Sequence, residues 1–170
     1  MMTLVITYNT SIYRFDMKAI QILKDLKIKE TKEKYPNIPD HAIPIPKYSD
    51  KTANGLTKCI IDFITLSGYQ SERINTMGRP IDNRKQVTDV LGRVKTIGSM
   101  TWGKSTARKG SADISATIKG KSVKIEVKIG KDRQSDFQKE YQKEVERAGG
   151  IYIIAKSFQD FYDWYLKNEI

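Results

Sequence analysis

Three charged residues interrupt the two most apolar strand-like segments of the sequence. Asp113 opens the first segment, residues 111–118, and Glu126 and Lys128 lie within the second, residues 122–129. Two carboxylates suit a hard divalent cation such as Mg²⁺, which contacts phosphate oxygens and lowers the pKa of a coordinated water. A lysine two residues after the second carboxylate shares its strand face, where it can orient an attacking water or stabilise a pentacovalent phosphorus. The spacing is therefore compatible with phosphodiester hydrolysis, although taken alone it favours a salt bridge between Asp113 and Lys128.

The apolar residues of these segments predict how the two strands pair. If both apolar rows face one core, a two-residue loop at 120–121 joins the strands and places Asp113 opposite Lys128. Asp113 and Glu126 then become diagonal neighbours, roughly 7–8 Å apart at the backbone, and their carboxylates can converge on one ion. The apolar rows that fix this register contain Ile114, Ala116, Ile118, Val123, Ile125 and Val127.

The composition limits the kinds of protein that this chain can be. With 170 residues, 39% of them hydrophobic, it can form one globular domain with a proper core. The net charge of +10 favours a polyanionic partner, nucleic acid first and an anionic membrane second, with a merely soluble basic protein as the alternative. The single cysteine, Cys59, cannot form an internal disulfide, and the single histidine, His41, argues against a His-based triad or a His/Cys zinc site. We therefore expect a cytoplasmic protein, and the lack of a long apolar stretch argues against a membrane partner.

The order of the periodic segments predicts a mixed α/β domain that follows an N-terminal unit. Residues 1–50 contain an amphipathic helix over 16–34 and then a proline-rich connector. In residues 51–170 the patterns predict a helix, three strands, a helix, a strand and a last helix, in that order. Gly68 marks the end of the first of these helices. The predicted fold class is therefore α/β.

A strongly basic insertion, residues 77–110, separates the first predicted strand of this domain from the segment that Asp113 opens. It carries eight Lys or Arg residues and only two acids, and we predict a long loop with short elements. A phosphate-contacting surface is favoured over a solvated insertion because the segment leads directly into Asp113. Arg73, on the strand before it, is either a further nucleic-acid contact or a plain surface residue. The predicted nucleic-acid-binding residues are Arg73, Arg79, Arg93, Lys104, Arg108 and Lys109.

The arrangement of these motifs resembles the virus-type replication-repair nuclease (VRR-NUC) domain of the PD-(D/E)XK nuclease superfamily. In that family a strand with G-x-x-D precedes a strand with E-x-K, and a helix with a glutamine and a terminal Gly-Gly follows. The corresponding stretches here are "GSADI", "IEVK", "SDFQKEYQ" and "ERAGGIYII". The resemblance covers about residues 54–161.

The resemblance implies a restriction-endonuclease-like αβββαβ core with a mixed central sheet. It implies that Asp113 and Glu126 bind Mg²⁺, for which Mn²⁺ can substitute, together with the backbone carbonyl of Val127. Lys128 is implied as the catalytic lysine, and Gln138 as the helix glutamine that supports the site or the nucleic acid, with an ordinary exposed helix residue as its alternative.

The chain departs from the family pattern at two positions. Ala112 replaces the proline of the superfamily name, which is not a ligand. Asn54 occupies the place where relatives often carry a helix glutamate near the metal. Its amide oxygen can still bind metal or water, but without a charge, which weakens a second metal site.

The resemblance also implies a function and an assembly. We expect an endodeoxyribonuclease that acts on branched or structured DNA such as four-way junctions, is phage-borne and forms a homodimer without a small-molecule cofactor. The alternative is a catalytically silent nucleic-acid-binding module of a phage replication or repair complex. The apolar residues of the last helix and of the helix over 16–34 either form the dimer contact or cover the sheet of their own subunit.

Overall fold

The main sheet of the described part of the chain is mixed and four-stranded, with helices on both faces. The computed structural model describes residues 18–75, 78–105 and 107–168. A short 3₁₀ turn, Asp40–Ala42, lies in the connector between the first two helices. The remaining elements are α1 (Ala19–Lys34), α2 (Ala53–Leu66), β1 (Gln70–Arg73), β2 (Arg79–Asp82), β3 (Lys85–Thr88), β4 (Val94–Ile97), β5 (Met100–Gly103), β6 (Ile114–Ile118), β7 (Lys121–Val127), α3 (Asp136–Arg147), β8 (Ile151–Ala155) and α4 (Phe158–Lys167).

The main sheet has the strand order β1-β6-β7-β8. Its β1–β6 and β6–β7 pairs are antiparallel, whereas β8 lies parallel to β7 after the crossover through α3. The predicted order of helix, three strands, helix, strand and helix is therefore confirmed, and the fold class is mixed α/β.

The core lies on one face of this sheet. Helix α2 begins at its N-cap Thr52, whose side chain accepts a hydrogen bond from the N–H of Gly55, and ends before Gly68, which has a φ of +84°. The 3.6-residue period of α2 brings its apolar side chains onto one stripe against the sheet. Helix α4 adds aromatic rings to this core, including Phe158 and Phe161. Helix α3 covers part of the opposite face, where Tyr141 contacts Tyr152 of β8.

The register of the central hairpin differs by two residues from the predicted register. Its two-residue turn is formed by Lys119 and Gly120, with φ values of +46° and +77°, and not by residues 120–121. Positive φ at both turn residues matches the twist of the flanking strands, and glycine adopts it without strain. Ile114 therefore pairs with Ile125, where the sequence predicted Val127. Because the shift is an even number of residues, the predicted apolar and polar faces are both confirmed.

The basic insertion forms a β-ribbon that we call the arm, residues 79–103. Strand β2 pairs with β5, and β3 pairs with β4, both antiparallel and in one continuous register. Between these two strand pairs, the N–H of Asn83 donates to the carbonyl of Ser99 at 3.3 Å. The predicted short elements are thus strands, and the arm takes the place of a simple loop between β1 and β6.

The described part of the N-terminal unit packs on the same core. Ala19 and Leu23 of α1 are buried, and the N–H of Ala19 donates to Gln159 Oε1 of α4 at 3.0 Å. The boundary at residue 50 stays a prediction. Among the described helices, none is both long and apolar enough for a bilayer span.

The apolar side chains considered for a dimer contact pack within their own subunit. The homodimer stays a prediction, and its contact surface is not identified by these side chains. Those that belong to the core or pack against it are Ile20, Leu23, Leu26, Tyr162, Trp164, Tyr165 and Leu166.

Candidate active site

Asp113 and Glu126 lie opposite each other at one end of the central hairpin. One step beyond the last paired residues, the register of β6 and β7 makes them direct cross-strand neighbours and not diagonal ones. The N–H of Val127 donates to Asp113 Oδ2 at 2.9 Å, and the N–H of Ile74 donates to the main-chain oxygen of Asp113 at 2.8 Å. The neighbouring backbones therefore hold Asp113 in place, and the residue remains partly exposed.

Glu126 is the buried centre of the site, with only 1% of its surface exposed. Its Oε1 accepts a hydrogen bond from Gln138 Nε2 and lies 3.1 Å from Lys128 Nζ. Its Oε2 accepts a hydrogen bond from the hydroxyl of Tyr152 at 3.4 Å. Groups from α3, from β8 and from the segment after β7 thus meet at one carboxylate.

Gln138 reaches Glu126 because of the way in which α3 begins. The N-cap Ser135 accepts a hydrogen bond from the N–H of Gln138 through its Oγ, and Gln138 Oε1 accepts one from the N–H of Ser135 at 2.9 Å. This reciprocal capping box fixes the amide of Gln138, and its Nε2 is then directed to Glu126. One side chain therefore caps the helix and supports the carboxylate.

The ionisation of Glu126 is strongly perturbed. Burial, and after it the negative charge of Asp113, raise its pKa to about 7, while the hydrogen bond and charge of Lys128 oppose the rise. The first two effects disfavour the anion because a buried carboxylate loses hydration and lies beside a like charge. A cation placed between the two carboxylates would offset both effects.

Lys128 is the buried cation of the site, with 8% of its surface exposed. Its Nζ contacts Glu126 Oε1 and also Asp132 Oδ2, which lies 3.4 Å away. Burial by itself lowers the pKa of Lys128, but the hydrogen bond and charge of Glu126, with those of Asp132, raise it above its ordinary value. Lys128 is therefore cationic at neutral pH.

The oxygen donors at this end of the sheet fit a hard divalent cation. Mg²⁺ prefers carboxylate oxygens, and it usually binds through one or two carboxylates while keeping several waters. Asp113 and Glu126 are two carboxylates of this kind, and their role as metal ligands stays a prediction. Within the described ranges no group of three or more His, Cys, Asp or Glu residues could hold a metal ion. The N–H of Val127 is used by Asp113, and the carbonyl of Val127 stays a prediction as a ligand.

Asn54 and Arg73 contact each other at the edge of the sheet. Arg73 Nη2 donates to Asn54 Oδ1 at 2.7 Å, joining the end of β1 to the first turn of α2. Arg73 pairs with Ile114 and so shares the α2 face, whereas the side chain of Asp113 alternates to the opposite face. The roles of Asn54 as a metal ligand and of Arg73 as a nucleic-acid contact stay predictions.

Two residues of the site were not anticipated from the sequence. Tyr152 is buried on β8, and burial together with the charge of Glu126 raises its pKa. Its signal was the alternation within "IYIIA", which directs Tyr152 away from the α2 face. Asp132 lies four residues after Lys128 in the loop before α3, and no sequence pattern marks it.

The last residues of the basic insertion are fixed against α3. Arg108 donates to Glu144 Oε1 at 2.8 Å, and Lys109 Nζ lies 3.6 Å from the ring centroid of Phe137. Gly110 has a φ of +84°, and a Cβ there would clash with the main-chain oxygen of Phe137. These contacts bring two predicted nucleic-acid-binding residues beside the helix that carries Gln138.

The other predicted nucleic-acid-binding residues of the insertion lie on or next to the arm. Arg93 forms an ion pair with Asp89 at 3.1 Å. Arg79 and Lys104 are exposed and form no ion pair with the described part of the chain. A scan of protein-family models finds no match to this chain. A search of curated proteins also finds none.

Proposed function

We propose that this protein is a Mg²⁺-dependent endonuclease that hydrolyses phosphodiester bonds in DNA. The observation that carries the proposal is the cluster in which Glu126, buried and opposite Asp113, forms an ion pair with the buried Lys128. With the arm strands β2–β5 set aside, α2 and the main sheet have the order of one helix, three strands, one helix and one strand, which supports an αβββαβ core like that of the PD-(D/E)XK superfamily. The resemblance of the motifs to the VRR-NUC family supports the same assignment.

Asp113 and Glu126 would hold the metal ion, with the carbonyl of Val127 as a further donor. When bound, Mg²⁺ supplies a water of lowered pKa and stabilises the negative charge that develops on the phosphoryl oxygens, and Mn²⁺ can substitute for it. Burial and the negative charge of Asp113 raise the pKa of Glu126 to about 7, and a divalent cation bound between the two carboxylates would offset both effects.

The remaining side chains position the reacting groups. Lys128 can donate hydrogen bonds to the attacking water or to a non-bridging phosphate oxygen, since its Nζ is cationic and carries three donors. Glu126 holds the lysine at 3.1 Å. Gln138 in turn holds Glu126, so that two side chains keep the ammonium beside the carboxylate pair.

The charge distribution supports a nucleic-acid substrate. The chain has a net charge of +10, and the insertion that begins and ends beside the site carries +6 of it. Lys109 and Arg108 lie next to α3, where phosphates that flank the cleaved bond can bind. The resemblance extends the proposal to branched DNA such as four-way junctions and to a homodimer, whose two sites could cut two equivalent strands.

The test is the incubation of the pure protein with labelled single strand, duplex, flap and four-way junction DNA. Each substrate is incubated with Mg²⁺, with Mn²⁺ and with EDTA. The proposal expects cleavage with either metal and none with EDTA, and it expects the junction to be cut on two strands. Binding of all substrates without cleavage under any metal condition would support the silent nucleic-acid-binding module instead.

A further inference from the structure

The arm, residues 79–103, projects from the sheet without a core of its own. Every residue of β2, β3 and β4 is exposed, and these strands pair only within the arm as far as the described ranges show. A two-stranded ribbon with no packed face is only marginally stable in water. An element of this kind is better explained by a partner that it contacts than by a role in stability.

The base of the arm lies at the end of the sheet that carries Asp113. The arm is inserted between β1 and β6, which are adjacent antiparallel strands, and their last pair is Arg73 with Ile114. Ser105 Oγ donates to the main-chain oxygen of Asn75 at 3.0 Å, closing the base. The arm is therefore inserted at the end of the sheet that carries the candidate active site.

The tip of the arm presents two aliphatic side chains to solvent. Asp89 accepts hydrogen bonds from the N–H groups of Leu91 and Arg93 through its Oδ1, both at 2.9 Å, and so fixes the turn. Val90 is fully exposed and Leu91 is 71% exposed. The hydrogen bonds of Asp89 thus fix a turn in which Val90 and Leu91 are both exposed to solvent.

The sides of the arm carry positive charge that acids do not cancel. Asp82 and Asp89 form ion pairs with Arg84 and Arg93 of the arm itself. Lys85, Lys95 and Arg79 form no ion pair with any described residue. In the outer part of the arm, formed by β3 and β4, Lys85 pairs with Ile97 and Lys95 pairs with Val87. Cations and aliphatic side chains therefore alternate on one face of the arm.

We propose that the arm lies in a groove of duplex DNA and that Val90 and Leu91 insert between base pairs at its tip. The major groove admits a two-stranded β-ribbon, and apolar wedges on basic proteins unstack base steps. A second copy of the chain would bring the same charge of +10 to the arm, whereas DNA brings the opposite charge. This inference rests on the proposed function only for the choice of DNA as the nucleic acid.

The length of the arm sets where the distortion falls. The nine residue steps from residue 79 to residue 88 span roughly 30 Å at about 3.3 Å per step. A wedge at the tip therefore lies up to roughly nine base pairs from the base of the arm, at about 3.4 Å per base pair. Cleavage and unstacking are expected at separate positions on the substrate.

The experiment measures binding in EDTA, so that it does not depend on cleavage. Duplex and junction DNA carry 2-aminopurine at successive positions, and its fluorescence reports unstacking while anisotropy reports affinity over a series of salt concentrations. The variant Val90→Ser/Leu91→Ser removes the wedge, with Ile45→Ser, an equally exposed apolar residue of the connector, as control.

A second pair of variants tests the charges of the arm. Lys85→Gln/Lys95→Gln is compared with Lys121→Gln/Lys167→Gln, which removes the same charge from the turn end of the sheet and from the end of α4. Thermal melting of every variant verifies that the core, to which the arm does not contribute, is intact.

The proposal expects the wild type to raise 2-aminopurine fluorescence at a few adjacent positions and the wedge variant to abolish that rise. It expects the Lys85/Lys95 variant to lower the salt slope by roughly 1.8 and the control pair to lower it less.

If the arm variants show the same fluorescence and the same salt slope as the wild type, the arm does not contact DNA. If sedimentation shows that the wild type is a dimer and the wedge variant a monomer, while DNA binding is intact, the tip contacts a second copy of the chain and the proposal is overturned. DNA unstacking without any cleavage would leave the arm inference standing while the nuclease assignment fails.

Discussion

The side-chain amide of Gln138 donates to Glu126 Oε1, so the first turn of α3 is tied to the buried carboxylate of β7. The same side chain accepts from Ser135 in the capping box. These two roles can be separated, because an ionised glutamate also completes a capping box but cannot donate to Glu126.

Gln138→Glu is therefore expected to keep the capping box of α3 while it reduces metal-dependent cleavage by about 10–100-fold, the usual effect of losing a group that supports a metal ligand. Gln138→Ala removes both roles and is expected to cost about 1 kcal/mol of unfolding free energy as well. Thermal melting and single-turnover cleavage of the two variants make the comparison. Equal activity of the glutamate variant and the wild type would mean that Gln138 acts only as a cap.

The perturbed pKa of Glu126 predicts how stability depends on pH. Its folded pKa of about 7 exceeds its ordinary value of 4.5, so its contribution to stability is fully present below pH 4.5 and is lost as pH rises through 7. Glu126→Gln cannot ionise and avoids this loss. Measured in EDTA, the advantage of the variant over the wild type should grow by about 2 kcal/mol between pH 5 and pH 8.

Glu72→Gln, which changes an exposed glutamate on the edge strand β1 of the same sheet, is the matched control for this series. Denaturant unfolding at the two pH values provides the free energies. The burial argument fails if the Glu126 and Glu72 variants show the same pH dependence.

Two glycines with positive φ predict different costs for the same substitution. A Cβ at Gly120 meets open space, so Gly120→Ala carries only the conformational cost of about 1 kcal/mol. A Cβ at Gly110 clashes with the main chain of Phe137, next to Gln138, so Gly110→Ala should destabilise more and should also reduce cleavage. Melting and cleavage of the pair check this, and equal losses of stability would contradict the close approach at Gly110.

The ion pairs of the basic insertion predict unequal contributions to DNA binding. Arg79 and Lys104 form no ion pair in the described structure, whereas Arg93 and Arg108 contact Asp89 and Glu144. Arg79→Gln/Lys104→Gln should lower the salt slope of duplex binding by roughly 1.8, and Arg93→Gln/Arg108→Gln should lower it less. Anisotropy titrations in EDTA over a range of salt measure both slopes. The reverse order would show that the ion pairs open on binding.

Parts of the fold and site follow from the sequence because they depend on local periodicity. The two-residue period of β6 and β7 correctly separates the core face from the face of Asp113 and Glu126. The register was wrong by two residues because the choice of turn depended on Lys119, a non-glycine residue that adopts a positive φ. A shift of two residues leaves each side chain on the predicted face of the sheet, but it changes which residues lie directly opposite each other and therefore how far apart they are.

The missed parts depend on strand pairing and on a loop path, which no local periodicity reveals. Tyr152 meets Glu126 through the parallel pairing of β7 with β8, and Asp132 meets Lys128 through the path of a loop. The arm has no buried row, so its strands lack the alternation that reveals half-buried strands.

The most direct test of the central claim is the single-turnover cleavage rate of the carboxylate variants. Asp113→Asn and Glu126→Gln preserve the shapes of the two side chains but remove their charges, and Glu72→Gln again serves as the control. With saturating protein and Mg²⁺, we predict that the two site variants lose at least about 10²-fold in rate while DNA affinity in EDTA stays the same or increases. The control should cleave like the wild type. Cleavage at the wild-type rate by pure Asp113→Asn or Glu126→Gln protein would contradict the assignment of this cluster as the active site.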